Sequence, residues 1–261
     1  MCAAHQILDA PPRILDDPII ETLLGRKAID RISNASGEYQ TPERLALRAH
    51  VVLRSRYCED RLRAAVERGA TQYVILGAGL DTFAYRQPPW AGGLKICEVD
   101  HPSTQDVKKG LLKLAGLWLP GNVALVAVDF EGETLREGLM RHGVLFDEPT
   151  LFSWLGVTMY LSQAAIDSVL HTIAGFPSGS EVVLTFARSD LPRSPFDRRS
   201  AELGEHWISY FTPDSIEARI RAHGFSTVEL LEPEQAESTY FRGSASHLPV
   251  PRHTSIVSAR L

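Results

Sequence analysis

The residues best suited to chemistry are two glycines one residue apart, Gly77 and Gly79, which end an apolar, β-rich run that starts at Gln72. Glycine has no Cβ, so such a turn lets a ligand lie against the main chain. In an open parallel sheet the turn falls at the carboxyl ends of the strands, where ligands bind. Asp100 follows about 20 residues later, at the end of a second apolar run (94–99), in a position to accept hydrogen bonds from ribose hydroxyls. Asp129, after a third run (123–128), is placed to meet the base of a nucleoside, and Phe130 beside it offers an amide or a ring face. The other reading of Asp129 is an N-cap for a helix over 131–142. The third glycine of the dinucleotide fingerprint is replaced by Thr82, which argues against a pyrophosphate and for a nucleoside cofactor without one, S-adenosylmethionine foremost. A bare tight turn and a nicotinamide-dependent oxidoreductase are the competing readings.

Further candidates lie on elements around that turn. A helix opened by Thr41-Pro42-Glu43 carries six arginines, of which Arg48 sits among small and apolar neighbours and has the fork geometry to hold a carboxylate. Ala78 and Asp81 belong to the turn itself. His101 reads either as a helix cap or as a site residue. A fourth run (150–155) ends at Leu155 and leads into Thr158 and Tyr160, which are expected on the substrate side of the pocket; for Tyr160 a structural role, with its hydroxyl bonded in the packing, is an equal alternative. Arg188 follows a fifth strand (181–187). Residues 189–211 have no clear period, contain His206 and Trp207, and read as a lid. Tyr160 and His206 are the candidates for a catalytic role.

Strands alternating with helices predict an α/β fold with a doubly wound, mostly parallel sheet. Residues 1–70 are expected to form a helical cap, with 31–40 as a loop. Residues 71–261 are expected to form the Rossmann-like domain, with insertions near 189–211 and 232–252, in one unit. Of 261 residues, 44% are apolar and 23% charged, as in globular proteins, and a net charge of -5 gives no electrostatic reason for a nucleic-acid partner. No apolar run is long enough to span a membrane. Cys2, Cys58 and Cys97 are scattered without metal-ligand spacing, so no metal and a reducing, cytoplasmic location are expected.

Residues 74–86, 98–105, 128–130 and 154–161 together resemble the leucine carboxyl methyltransferase superfamily, in its bacterial branch of small-molecule O-methyltransferases. The resemblance implies a class I methyltransferase fold, seven-stranded and mostly parallel with an antiparallel last strand, and S-adenosylmethionine as methyl donor. It implies that Gly77 lies on the methionine part of the cofactor, Asp100 on the ribose, and Asp129 and Phe130 on the adenine. An arginine of the long helix would pair with the cofactor carboxylate; Arg48 fits best, with Arg54 and Arg56 also open. Where the protein-methylating branch has a glutamate, this chain has Leu155, so that contact is expected to be lost or moved. The chain also begins inside what is often a longer N-terminal arm.

These readings lead to an expected activity: in-line methyl transfer to the carboxylate of a small molecule, giving S-adenosylhomocysteine. A carboxylate is ionised at neutral pH and needs no general base. The alternative from another class is a protein that binds the cofactor without turning it over.

Overall fold

The run before the glycine turn folds into β1 (Gln72–Leu76), buried along its whole length. A computed structural model of the chain describes residues 1–193, 195–202 and 204–261. β1 is flanked in parallel by β2 (Lys95–Asp100) and β4 (Thr150–Trp154), with Leu76 opposite Val99 and Ile75 opposite Ser153. β3 (Val123–Ala127) continues beyond β2, and β5 (Glu181–Thr185) beyond β4. β7 (Ile256–Arg260) then inserts antiparallel between β5 and β6 (Thr227–Leu230). The seven strands run in the order β3-β2-β1-β4-β5-β7-β6. The order reverses between β1 and β4, so a crevice opens outside their carboxyl ends. This is the doubly wound α/β sheet expected from the sequence.

Alternate residues of β1 feed two cores, as the two-residue period of a strand requires. Val74 and Leu76 join the side covered by α7 (Gln163–Ala174) and α9 (Pro213–Ala222). Tyr73 and Ile75 join the side covered by α4 (Pro42–Glu67). α4 starts as predicted: the Thr41 side chain accepts from the Arg44 amide, with proline at the first position. Its C-terminal end is fixed to β5 by Glu181, fully buried, which accepts from Arg61 Nε at 2.5 Å and Arg68 Nη2 at 2.6 Å.

The N-terminal residues form α1 (Cys2–Leu8), α2 (Pro18–Leu24) and α3 (Arg26–Asn34), then a 3₁₀ turn over Ser36–Gln40. The loop expected over 31–40 is thus mostly helical. Asp17 caps α2, accepting from the Ile20 amide at 3.2 Å. Within 189–211 the structure shows α8 (Pro195–Glu202), a helix the irregular sequence pattern did not indicate. Residues 232–252 form α10 (Pro233–Ala236) and a π-turn over Glu237–Phe241, and Leu248 packs with Ile14, Leu15 and Val52. This stretch clasps the loop after α1, where the Ala245 amide donates to the Pro12 carbonyl at 3.0 Å.

One buried ion pair underlies the glycine turn. α5 (Pro102–Ala115) brings Lys108 to Glu98 of β2, Nζ to Oε2 at 2.5 Å, with both side chains excluded from solvent. The same ammonium donates to the Asp81 carbonyl at 2.7 Å and stands over the Tyr85 ring. Lys108 therefore ties the turn after β1 to the middle of β2. Truncating it in Lys108→Met strands a buried carboxylate and is expected to cost about 3–5 kcal/mol; Lys108→Met/Glu98→Gln should recover most of this in urea unfolding. Burial pushes Glu98 up from 4.5 to about 7, with Lys108 opposing. An acid raised in the fold contributes stability that is complete below its unfolded value and is lost as pH rises through the folded one. Relative to Glu98→Gln, the native protein should thus lose stability between about pH 4.5 and 7; a flat difference over that window would refute this.

Candidate active site: two cavities that share an arginine

Backbone contacts draw the glycine turn tight. The Gly77 and Ala78 amides both donate to the Val99 carbonyl, at 2.8 and 3.0 Å, and the Asp81 amide donates to the Ala78 carbonyl at 2.7 Å. Gly77 has φ +68°, and a Cβ there would run into Val157 in the loop after β4. Only glycine fits, for both reasons. Asp100, at the end of β2, accepts the Gly79 amide at 2.5 Å and the His101 amide at 2.7 Å. The acid expected to serve a ribose is thus coupled directly to the turn.

Above this turn lies a cavity of about 450 Å³. Residues 77–82 form one wall and residues 155–157 another, while residues 1–3 of α1 and Ile20 and Leu24 of α2 close over it. Its charged side chains are Asp17, Arg54, Asp81 and Arg86. Arg86 is committed to Asp17, at 3.3 Å, and to Glu59. Among the described residues, Arg54 and Asp81 have no ion-pair partner. One unpaired cationic side chain and one unpaired anionic side chain suit a zwitterion such as an amino-acid moiety.

A second cavity, of about 500 Å³, adjoins the first and shares Val51, Arg54 and Gly156 with it. Gly156, at φ +78°, lies flat beneath the Arg54 guanidinium: a Cβ there would stand 2.5 Å from Nη1. Burial lowers the Arg54 pKa, while Cys2, Tyr160 and Asp81 favour its charge. His50, one turn earlier on α4, lines the second cavity; burial, reinforced by Arg54, pushes it from 6.5 down to about 3, so the imidazole is neutral at physiological pH. Tyr160, Phe186, Trp207 and Tyr210 supply aromatic surface. Among the described residues, Arg54, Arg188 and Arg193 line this cavity and no aspartate or glutamate does.

The expected site residues divide accordingly. Gly77, Ala78, Gly79, Asp81 and Leu155 line the first cavity, and Tyr160, Arg188 and Trp207 line the second. Arg48 lines neither. It is fully buried and does hold a carboxylate in fork geometry, but that of Asp9, with Nε to Oδ2 at 2.9 Å and Nη2 to Oδ1 at 3.1 Å. Its third nitrogen donates to the Tyr39 carbonyl, so the expectation of Arg48 in the pocket is not met; of the arginines left open, Arg54, six residues further along α4, is the one that lines the cavities. Arg56 is exposed and paired with Asp60. Thr158 is buried and donates to the Thr185 carbonyl at 2.6 Å, so it is a packing residue and not on the substrate side. His206 is exposed and outside both cavities, which removes it as a catalytic candidate. His101 caps α5, accepting from the Ser103 amide. Asp129 and Phe130 line neither cavity; Asp129 is exposed and accepts the Glu131 amide at 3.0 Å, and Phe130 packs on the core. The N-cap of α6 (Leu135–Arg141) is Thr134 instead.

Sequence reasoning passed over His50, Asp17, Arg86 and the first residues of α1. His50 and Arg54 are four apart on one helix face, a spacing that was legible; the return of α1 and α2 over the turn was not. Among the described residues no group of three or more His, Cys, Asp or Glu side chains could hold a metal ion, and no helix is long and apolar enough to cross a membrane.

Known proteins share this architecture. A Bacillus subtilis protein described as "Putative S-adenosyl-L-methionine-dependent methyltransferase YktD" is 34% identical over 204 residues, covering 75% of this chain and 67% of that protein. A Mycobacterium marinum protein of the same description is 30% identical over 201 residues, covering 75% of this chain and 66% of its own. The chain thus spans about two thirds of the length of these relatives. The crystal structure of a Thermobifida fusca protein, titled a putative methyltransferase, superposes with a TM-score of 0.57 at 19% identity, covering 97% of this chain and 94% of that one. The profile of the leucine carboxyl methyltransferase family matches residues 1–174, and the chain belongs to that family.

Proposed function

We propose that the protein transfers the methyl group of S-adenosylmethionine to the carboxylate oxygen of a small molecule. The observation that carries this reading is the pair of cavities joined at Arg54, the second of them lined by arginines and no acid among the described residues. An anionic acceptor fits such a wall, and a cation does not. The cofactor suits the first cavity: Gly77 leaves room against the main chain, and Arg54 would face its carboxylate and Asp81 its ammonium; Asp100, which lines neither cavity, stays in this proposal for the ribose from the end of β2, where it accepts the Gly79 amide. Asp129 and Phe130, at the end of β3, stay in this proposal as the adenine side of the same edge. The bound cofactor supplies an electrophilic methyl on a positively charged sulfur.

The protein's own part is positioning. The tight Gly77–Val157 approach fixes the floor, α1 and α2 keep water from the roof, and Arg54 and Gly156 set the line along which the two ligands meet. With an ionised carboxylate as nucleophile, no proton has to be removed. A neutral His50 beside Arg54 fits that requirement, since it offers a hydrogen bond without competing for charge.

Calorimetric titration with S-adenosylhomocysteine tests the cofactor half. Arg54→Met should weaken binding by about 1.5–3 kcal/mol, the worth of a charged hydrogen bond. Arg48→Met should leave the affinity of the folded protein unchanged, yet lower unfolding stability by about 3–5 kcal/mol by stranding Asp9. The reverse pattern would return the cofactor role to Arg48. The acceptor half is tested by methyl-ester formation from carboxylic acids with methyl-labelled cofactor. Tight cofactor binding with no ester from any acid would favour a binding protein without turnover.

A further inference from the structure

The second cavity also says which kind of acid the protein takes, on the reading just given. The two cavities have Val51, Arg54 and Gly156 in common, so a displacement in line with the methyl–sulfur bond must bring the acceptor oxygen to that junction. The carboxylate end of the acceptor therefore points toward Arg54 and His50. Its body extends the other way, into aromatic surface. Tyr160 and Trp207 stand edge to face, with ring centroids 6.4 Å apart and planes at 89°, and Trp207 and Tyr210 are 6.4 Å apart at 47°. These tilted rings leave faces and edges of both kinds turned to the same space, which favours an aromatic guest.

The charges at the far end are already used. Arg188 is held by Asp190, at 2.7 and 2.6 Å, and by the Thr254 carbonyl. Arg193 lies 3.3 Å from Asp197 and over the Tyr210 ring. Arg54 is the one arginine of this wall without an acid partner among the described residues. Arg54 borders both cavities and its guanidinium has five donors, enough for the cofactor carboxylate from the first cavity and one acceptor carboxylate from the second; among the described residues no other unpaired arginine lines the second. We propose that the acceptor is an aromatic monocarboxylic acid, its carboxylate at Arg54 and its ring among Tyr160, Trp207 and Tyr210. In the transfer one carboxylate oxygen forms a bond to the methyl carbon as the methyl–sulfur bond breaks, and its electron pair stays on sulfur. A negative acid and a positive sulfonium become a neutral ester and a neutral thioether, with no proton moved. The cavity, at about 500 Å³, has room for a bicyclic ring system.

The test uses the full chain saturated with S-adenosylhomocysteine and three probes: 2-naphthoate, its saturated analogue decahydronaphthalene-2-carboxylate, and 2-naphthamide. Naphthoate should bind about three- to tenfold tighter than the saturated acid, and the amide at least about tenfold weaker than naphthoate, for want of the charge at Arg54. With S-adenosylmethionine, naphthoate should yield its methyl ester. Trp207→Leu should erase the preference for the aromatic acid and leave S-adenosylhomocysteine affinity as it was; if that variant fails to fold, Tyr210→Leu on the same wall should do the same. Cofactor binding with equal affinity for the two acids, with no binding of either acid, or with the preference intact in the variants would overturn the proposal and leave the methyltransferase reading standing. Failure of S-adenosylhomocysteine to bind the native protein would remove that reading and this one with it.

Discussion

The site depends on the approach of Gly77 to Val157. The turn after β1 and the loop after β4 meet there without room for a single methyl group, and this contact sets how far apart the two central strands end. Everything that lines the cavities is referred to it. Asp100 grips the next turn residue from β2, Lys108 holds Asp81 from beneath, and Gly156 next to Val157 supports the Arg54 guanidinium. A side chain at position 77 would push the β4 loop outward and, with it, the surface on which Arg54 rests.

The polar interior divides into two kinds of work. Asp9–Arg48, Glu98–Lys108 and Glu181 with Arg61 and Arg68 are closed sets in which charges answer one another inside the protein. The first and third join elements far apart in sequence, the end of the N-terminal helix to α4 and α4 to β5, while the second ties α5 back onto β2, the strand just before it. Arg54 and Asp81 are of the other kind, facing a cavity without an ion-pair partner among the described residues. Buried charges are costly unless answered. Unanswered ones beside a cavity therefore mark where a ligand's charges belong.

Much of this was legible in the sequence, and the reasons are local. The strand-turn signal at residues 72–79 needs only an apolar run and two glycines, and helix starts such as Thr41-Pro42 and Thr212-Pro213 declare themselves by cap chemistry within three residues. Arg48 shows where local reading stops. Its apolar neighbours rightly indicate burial, but its partner Asp9 lies 39 residues away on another helix, and a fork that fits a cofactor carboxylate fits an aspartate equally well. Thr158 was misplaced in the same way, because its hydroxyl is taken by a carbonyl of β5 that no spacing within the loop reveals. α8 escaped notice because two prolines and several arginines obscure its period.

The two cavities meet along Val51, Arg54 and Gly156. Donor and acceptor compartments therefore cannot be redesigned independently from α4: replacing Arg54, or raising Gly156 beneath it, alters both chambers at once. The opposite wall, to which Phe186, Arg188, Leu191, Ser200, Trp207 and Tyr210 contribute, touches only the second chamber. Divergence of acceptor range within this architecture, by natural drift or by engineering, has its freedom on that outer wall, and the shared helix is the part of the enzyme that has to stay constant.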